Sequence, residues 1–172
     1  MTTSTMDPAK AVDPDGSPVV LSHAEQNAKG HLETIEVWYE VYCWCQTSDE
    51  PKELSWAARR FLIEEMDWAE DQDRDSVEDA LRELVQEDPL EVKVREDWHR
   101  LGGVADAAEY MILISTGGPA LRLVGRLCDF EPESARLQHQ DWGTPWTDVF
   151  YVNQPEGDDA LIWYASQFYW GE

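Results

Sequence analysis

At Pro89 the spacing of apolar residues changes, and that change decides which class of fold the chain can adopt. Upstream, Val77, Ala80, Leu81, Leu84 and Val85 recur at about 3.6 residues, the period of one helical face. Downstream, Leu90, Val92 and Val94 alternate with Glu91, Lys93 and Arg95, the period of a half-buried strand. Proline also pushes the residue before it out of the helical region, so the helix stops there. Helices followed by a run of strands indicate an α+β fold rather than alternating βαβ units.

The remaining elements are placed by the same signals. Ser22-His23-Ala24-Glu25 has the capping-box form and opens a first helix. From there to Gln46 two patterns compete. Ile35, Trp38, Tyr39, Tyr42 and Cys45 sit at helical spacing, while Ile35, Val37, Tyr39, Val41, Cys43 and Cys45 alternate as in a strand. Length, and the lack of an internal turn signal other than Gly30, favour the helix. Thr47 to Pro51 breaks and caps the chain for a second helix running to about Ala69, with Leu54, Ala58, Phe61 and Leu62 on one face and Ala57 and Trp68 beside it. A third helix is expected from about Asp75 to the residues before Pro89.

Beyond the first strand, Tyr110 to Ile114 is a continuous apolar strand, and Thr116-Gly117-Gly118-Pro119 is a turn needing glycine dihedrals. Leu121, Leu123, Gly125 and Leu127 then alternate with Arg122, Val124, Arg126 and Cys128. Ser134 to Gln140 reads as a fourth strand. Short connections make this an antiparallel meander of four strands. Asp158 or Asp159 caps a last helix through Trp170. Residues 1–20, rich in Ser, Thr, Asp and Pro, read as a mobile arm. Residues 21–172 form a single domain with an acidic helical half (21–88) and a β half (89–172).

The chain has 172 residues, 42% of them apolar, which is enough to bury a core despite 36 Asp and Glu against 13 Lys and Arg. A formal charge of −23 at pH 7 disfavours direct binding to nucleic acid or an anionic membrane, whose partners supply cations to phosphate. A basic protein partner is favoured instead. No run of about 18 apolar residues suggests a membrane span, and no signal peptide is read at the N-terminus, so the cytosol is the expected compartment. Three cysteines then read as reduced thiols.

Candidate chemistry is sparse. Cys43-x-Cys45, Cys128 and four histidines lack the second ligand pair of a structural zinc site and read as core thiols, with no metal or cofactor expected. Asp97-Trp98-His99 and His139-Gln140-Asp141 place an imidazole near a carboxylate, which would serve a hydrolase only if the groups converged in a cleft. The Gly117-Gly118-Pro119 turn has no Lys after it and is no phosphate cradle. In the segment Gln140 to Trp146, Trp142 and Trp146 either plug the end of the sheet or form a ligand platform.

The acidic run carries the most physical content. Glu64, Glu65, Asp67, Glu70, Asp71, Asp73, Asp75, Glu78, Asp79, Glu83, Glu87 and Asp88, with Glu91, face only Arg74 and Arg82. Within the third helix Asp75, Asp79, Glu83 and Glu87 recur every four residues, rising about 6 Å per step. Like charges at this spacing destabilise a helix by a few tenths of a kcal/mol per pair, so folding alone does not select them. They read either as a solvated face, compatible with high salt, or as a line of charges resembling a nucleic-acid backbone. The first twelve carboxylates are the candidate partner-binding set.

From about Gln86 to Glu172 the chain resembles a family of small acidic proteins of bacteria and their mobile elements. The resemblance lies in Gln86-Glu87-Asp88-Pro89-Leu90, Ser115 to Ala120, Ala135 to Gln138, Gln140 to Trp146, and the ending Gln167 to Glu172. It implies no enzymatic activity. In size and charge the whole chain is similar to antirestriction and anti-CRISPR inhibitors of phages and plasmids, many of which present carboxylates where their target expects phosphates. The expected function is thus non-enzymatic inhibition by binding a basic nucleic-acid-binding surface, such as that of a CRISPR effector or restriction enzyme. The alternatives are an accessory or ligand-binding module whose acidity serves only solubility, and a hydrolase using His99 or His139.

Overall fold

A computed structural model describes residues 21–47, 53–68, 73–96, 107–149 and 159–171. The helical half contains α1 (His23–Cys45), α2 (Trp56–Glu64) and α3 (Arg74–Glu87). The β half contains β1 (Glu91–Glu96), β2 (Ala107–Ser115), β3 (Ala120–Cys128), β4 (Glu131–Pro132), β5 (Arg136–Gln140) and β6 (Thr147–Asp148), and α4 (Asp159–Ser166) follows. Strands run antiparallel in the order β1-β2-β3-β5-β6, with β4 pairing β3 to one side. The four longer strands, β1, β2, β3 and β5, are at the four expected places; β4 and β6, two residues each, carry no periodic signal and extend the expected four-stranded meander.

The first helix resolves the competing readings of residues 23–46. Its capping box is closed on both sides: Ser22 Oγ accepts from Glu25 N at 3.2 Å, and Ser22 N donates to Glu25 Oε2 at 2.7 Å. Backbone and hydroxyl hydrogen bonds from Ser22 hold the Glu25 carboxyl below its ordinary value. α1 touches α2, α3, α4 and β5. It therefore buries a wider stripe than the aromatic spacing suggested, including Leu32, Ile35, Trp38, Val41 and Trp44.

Three boundaries differ from the sequence reading. α2 starts at Trp56 because Ser55 is its N-cap, accepting from Ala58 N at 3.1 Å, while Glu40 of α1 accepts from Ser55 N and Oγ at 2.5 and 2.6 Å. It ends at Glu64, five residues before Ala69, and Asp67 then adopts φ +49°. α3 begins at Arg74, within one residue of the expected start, with Asp73 as its cap. α4 stops at Ser166; Trp170 folds back instead, its Nε1 donating to Ala165 O at 3.0 Å and its ring lying 4.8 Å from Tyr110.

Along β2, buried Tyr110, Ile112 and Ile114 alternate with half-buried Glu109, Met111 and Leu113. With Leu121, Leu123 and Leu127 of β3 and Leu137 of β5, they form the sheet side of the core, against α1 and α4. Trp38 of α1 stacks on Tyr164 of α4 with centroids 6.3 Å apart and planes 11° from parallel. β1 departs from expectation. All six of its residues are exposed, so it is not the half-buried strand its alternation indicated; the helical layer does not reach over it. No helix among the described residues is long and apolar enough to cross a membrane. The arm, residues 1–20, lies outside the described residues.

Candidate partner-binding surface

Helix α3 is amphipathic, but its apolar stripe is wider than the core needs. Val77, Leu81 and Val85 are buried, whereas Ala80 and Leu84 of the same stripe stay exposed. Their surroundings explain this. Ala80 and Leu84 form one wall of an open groove of about 690 Å³, whose other walls are Gly30, Thr34, Val37 and Trp38 of α1, with Phe61 and Met66 from α2 and its C-terminal turn. Glu33 and Glu65 also line it. The groove is thus apolar at its base and acidic at its rim.

The α3 carboxylates continue that rim. A step of four residues turns about 40° round a helix. The line therefore passes from Glu87 and Glu83, beside Leu84 and Ala80, round to Asp79 and Asp75 on the outer side. All four are exposed. Asp79 also accepts from Arg82 Nη1 at 3.0 Å, and Arg82 Nη2 reaches Glu78 at 2.9 Å. For Asp75, Glu83 and Glu87 no basic side chain lies within ion-pair distance among the described residues.

Other members of the acidic set have work inside the fold. Asp73 caps α3, accepting from Ser76 N and Oγ at 2.9 Å each, and those bonds hold its carboxyl below the ordinary range. Asp88 is turned inward between Tyr164 and His31. Glu78 accepts from Gln46 Nε2 at 2.6 Å, and Glu64 from Arg60 Nε at 2.6 Å. Glu65 and Asp67 are exposed near the end of α2. Glu70 and Asp71 lie outside the described residues. The acidic run therefore divides into a structural part and an outward part, the latter centred on α3.

The other side of the sheet has a different character. Lys93, Arg95, Arg122, Arg126 and Arg136 line a shallow depression of about 730 Å³ on the face away from the helices. Most are matched locally: Lys93 by Glu91 at 2.8 Å, Arg95 by Glu109, Arg126 by Glu133 at 3.8 Å and Arg136 by Asp148 at 3.4 Å. Arg122 instead donates to Gln138 Oε1 at 2.9 Å and lies 4.2 Å from the Trp146 ring centroid. Burial and neighbouring Arg136 lower its pKa. This stacking gives Trp146 a role that the aromatic-loop motif only hinted at. Trp142 does not plug the sheet: it is 79% exposed, lying over Gly118, where an added Cβ would strike its indole.

Among the described residues the other sequence candidates do not assemble. Cys45 is half-buried, and burial pushes its thiol up to about 11, so it is not an activated thiolate. Cys43 is also half-buried, but Cys128 is exposed and is not a core thiol. Among the described residues no three His, Cys, Asp or Glu side chains gather as a metal site. Asp97 and His99 lie outside the described residues. The Nδ1 of His139 is buried with no hydrogen-bond partner among them.

Fold and surface together define an α+β protein whose helices cover one face of an antiparallel sheet and carry an acidic rim around an open apolar groove. Set against protein-family models, curated proteins and solved structures, the chain matches none.

Proposed function

We propose that this protein is a non-enzymatic binding protein that inhibits a nucleic-acid-binding complex, using its acidic helical surface as a substitute for nucleic acid. The observation that carries this reading is the conjunction on α3 of outward carboxylates at Asp75, Asp79, Glu83 and Glu87 with unburied Ala80 and Leu84 at the adjoining groove. Charge accelerates the encounter with a Lys/Arg-lined surface, and an apolar contact lengthens the residence time. Surface acidity that served only solubility would not require apolar residues left uncovered beside it.

The partner chemistry is a basic, nucleic-acid-binding protein surface in the bacterial cytosol, and the partner proposed most specifically is a host defence complex, a CRISPR effector or restriction enzyme. Direct binding to nucleic acid or to an anionic membrane is opposed by the net charge of −23. A second reading, an accessory module that holds a small anionic ligand, is favoured by one observation, the Arg122–Trp146 stack on the open sheet face.

The two readings separate in a capture experiment from host lysate at low and high salt. Neutralising Asp75→Asn, Asp79→Asn, Glu83→Gln and Glu87→Gln together should abolish recovery of a basic partner. Neutralising Asp129→Asn, Glu131→Gln and Glu133→Gln, in and beside the β3–β4 hairpin, should not. Recovery of a small anionic ligand that Arg122→Gln abolishes and the α3 set leaves intact, with no basic partner, would favour the second reading.

A further inference from the structure

β1 is the terminal strand of the sheet, and among the described residues nothing pairs with its outer edge. Its alternation places Val92 and Val94 on the same side as their β2 partners Ile112 and Tyr110, which are buried. Yet Val92 and Val94 are 38% and 52% exposed, and Leu90, immediately before the strand, is 61% exposed. Pairing with β2 reaches back to Leu90, whose N donates to Leu113 O at 2.8 Å. The strand thus presents free backbone groups and an uncovered apolar row together, the combination that templates addition of another strand.

The sequence of this edge is complementary to itself. Placed antiparallel with Val92 opposite Val92 of a second copy, Leu90 falls opposite Val94 twice and Glu91 opposite Lys93 twice. Both kinds of pair lie on their proper faces, because a strand's side chains alternate. Sliding by one residue sets charged side chains against apolar ones. Placing Lys93 on the axis instead sets lysine against lysine. The edge is also where two such acidic chains can approach, since Glu91, Lys93, Arg95 and Glu96 balance in charge.

We infer that the protein forms a two-fold symmetric dimer by antiparallel pairing of β1 with β1 of a second copy, with Val92 on the axis. The sheet becomes continuous across the two chains, and Leu90, Val92 and Val94 of both cover one another. The interface is small, so the pair dissociates on dilution. It is independent of the acidic surface on α3.

Sedimentation equilibrium of the full chain over a wide range of concentration tests this. The expected result is a shift from 19.8 kDa toward twice that mass as concentration rises. Glu91→Lys and Lys93→Glu, each alone, set like charges against each other twice and should weaken self-association about tenfold. Mixed in equal amounts, the two variants should associate as tightly as the unaltered chain, because every cross-strand pair is then Lys against Glu; this rescue also shows that both are folded. A chain that stays at 19.8 kDa at every concentration, or a dimer that both single variants leave intact, overturns the proposal. A dimer that Lys93→Glu leaves intact while Glu91→Lys breaks it overturns the Val92 register.

Discussion

The hydroxyl of Tyr164 donates to the Asp88 carboxylate at 2.6 Å, joining α4 to the C-cap of α3 across 76 residues of sequence. His31 Nε2 of α1 lies 3.2 Å from the same carboxylate oxygen. Tyr164 is fully buried and stacks on Trp38. One carboxylate therefore holds three helices in register beneath the groove. Tyr164→Phe keeps the ring and removes the donor, leaving Asp88 with fewer partners in a half-buried site. Urea denaturation should show a loss of about 2 kcal/mol, the value of a hydrogen bond to a charged group. An unchanged midpoint would mean that the bond does not contribute to the fold.

Alkaline pH should destabilise the protein through its tyrosines. In the unfolded chain a tyrosine loses its proton near pH 10. In the folded protein Tyr39 is pushed up to about 12, first by its hydrogen bond with Cys43 and then by burial. Burial raises Tyr110 and, with Asp88 beside it, Tyr164 further still. Above pH 10 the unfolded chain thus holds fewer protons than the folded one, and stability falls as pH rises. Below pH 10 this contribution is fully present. Stability measured by denaturant should be level in these groups up to about pH 9.5 and decline from pH 10 upward, with a shallower decline for Tyr110→Phe. A flat profile through pH 12 would contradict the assignment.

Gly125 is required by a close crossing. Tyr110 Oη donates to Ser134 O at 2.8 Å directly over it, and a Cβ at residue 125 would collide with both. Gly125→Ala should cost about 3 kcal/mol, at the upper end of overpacking effects, whereas Gly30→Ala, with open space around it, should be neutral or stabilising. Thermal denaturation of the two variants checks the contrast.

Leu84 separates binding from folding. It is 39% exposed and lies at the groove, so Leu84→Gln, which keeps helix propensity and adds no charge, should cost no more than about 1 kcal/mol. It should nonetheless weaken capture of the basic partner by tenfold or more, through faster dissociation. Equal capture by Leu84→Gln and the unaltered chain would remove the groove from the interface.

Local signals in the sequence account for most of the fold. The Ser22–Glu25 box, the stop at Pro89, the apolar run of β2 and the alternation of β3 depend on neighbours in the chain, and the elements lie within a few residues of where they place them. What was not legible depends on distant partners. Ser55 replaces the Thr47–Pro51 segment as the α2 cap because Glu40 of α1 holds it. The exposure of β1 follows from where the helical layer ends, which alternation does not encode. The candidate surface was half legible: four-residue spacing put Asp75, Asp79, Glu83 and Glu87 outside, but the inward turn of Asp88 needed Tyr164 and His31. The groove left a signal in the α3 stripe, since Ala80 and Leu84 extend it to one side of Val77, Leu81 and Val85. Reading that breadth as core alone hid the groove.

Competition by DNA is the most direct measure of the central claim. Once a basic partner is captured, a double-stranded oligonucleotide titrated against the complex at fixed salt reports whether the two ligands share one surface. The account predicts displacement by DNA, an affinity that falls as salt rises, and no recoverable complex when Asp75, Asp79, Glu83 and Glu87 are neutralised. A ternary complex in which DNA and this protein sit on the partner together, each at its full affinity, would contradict it.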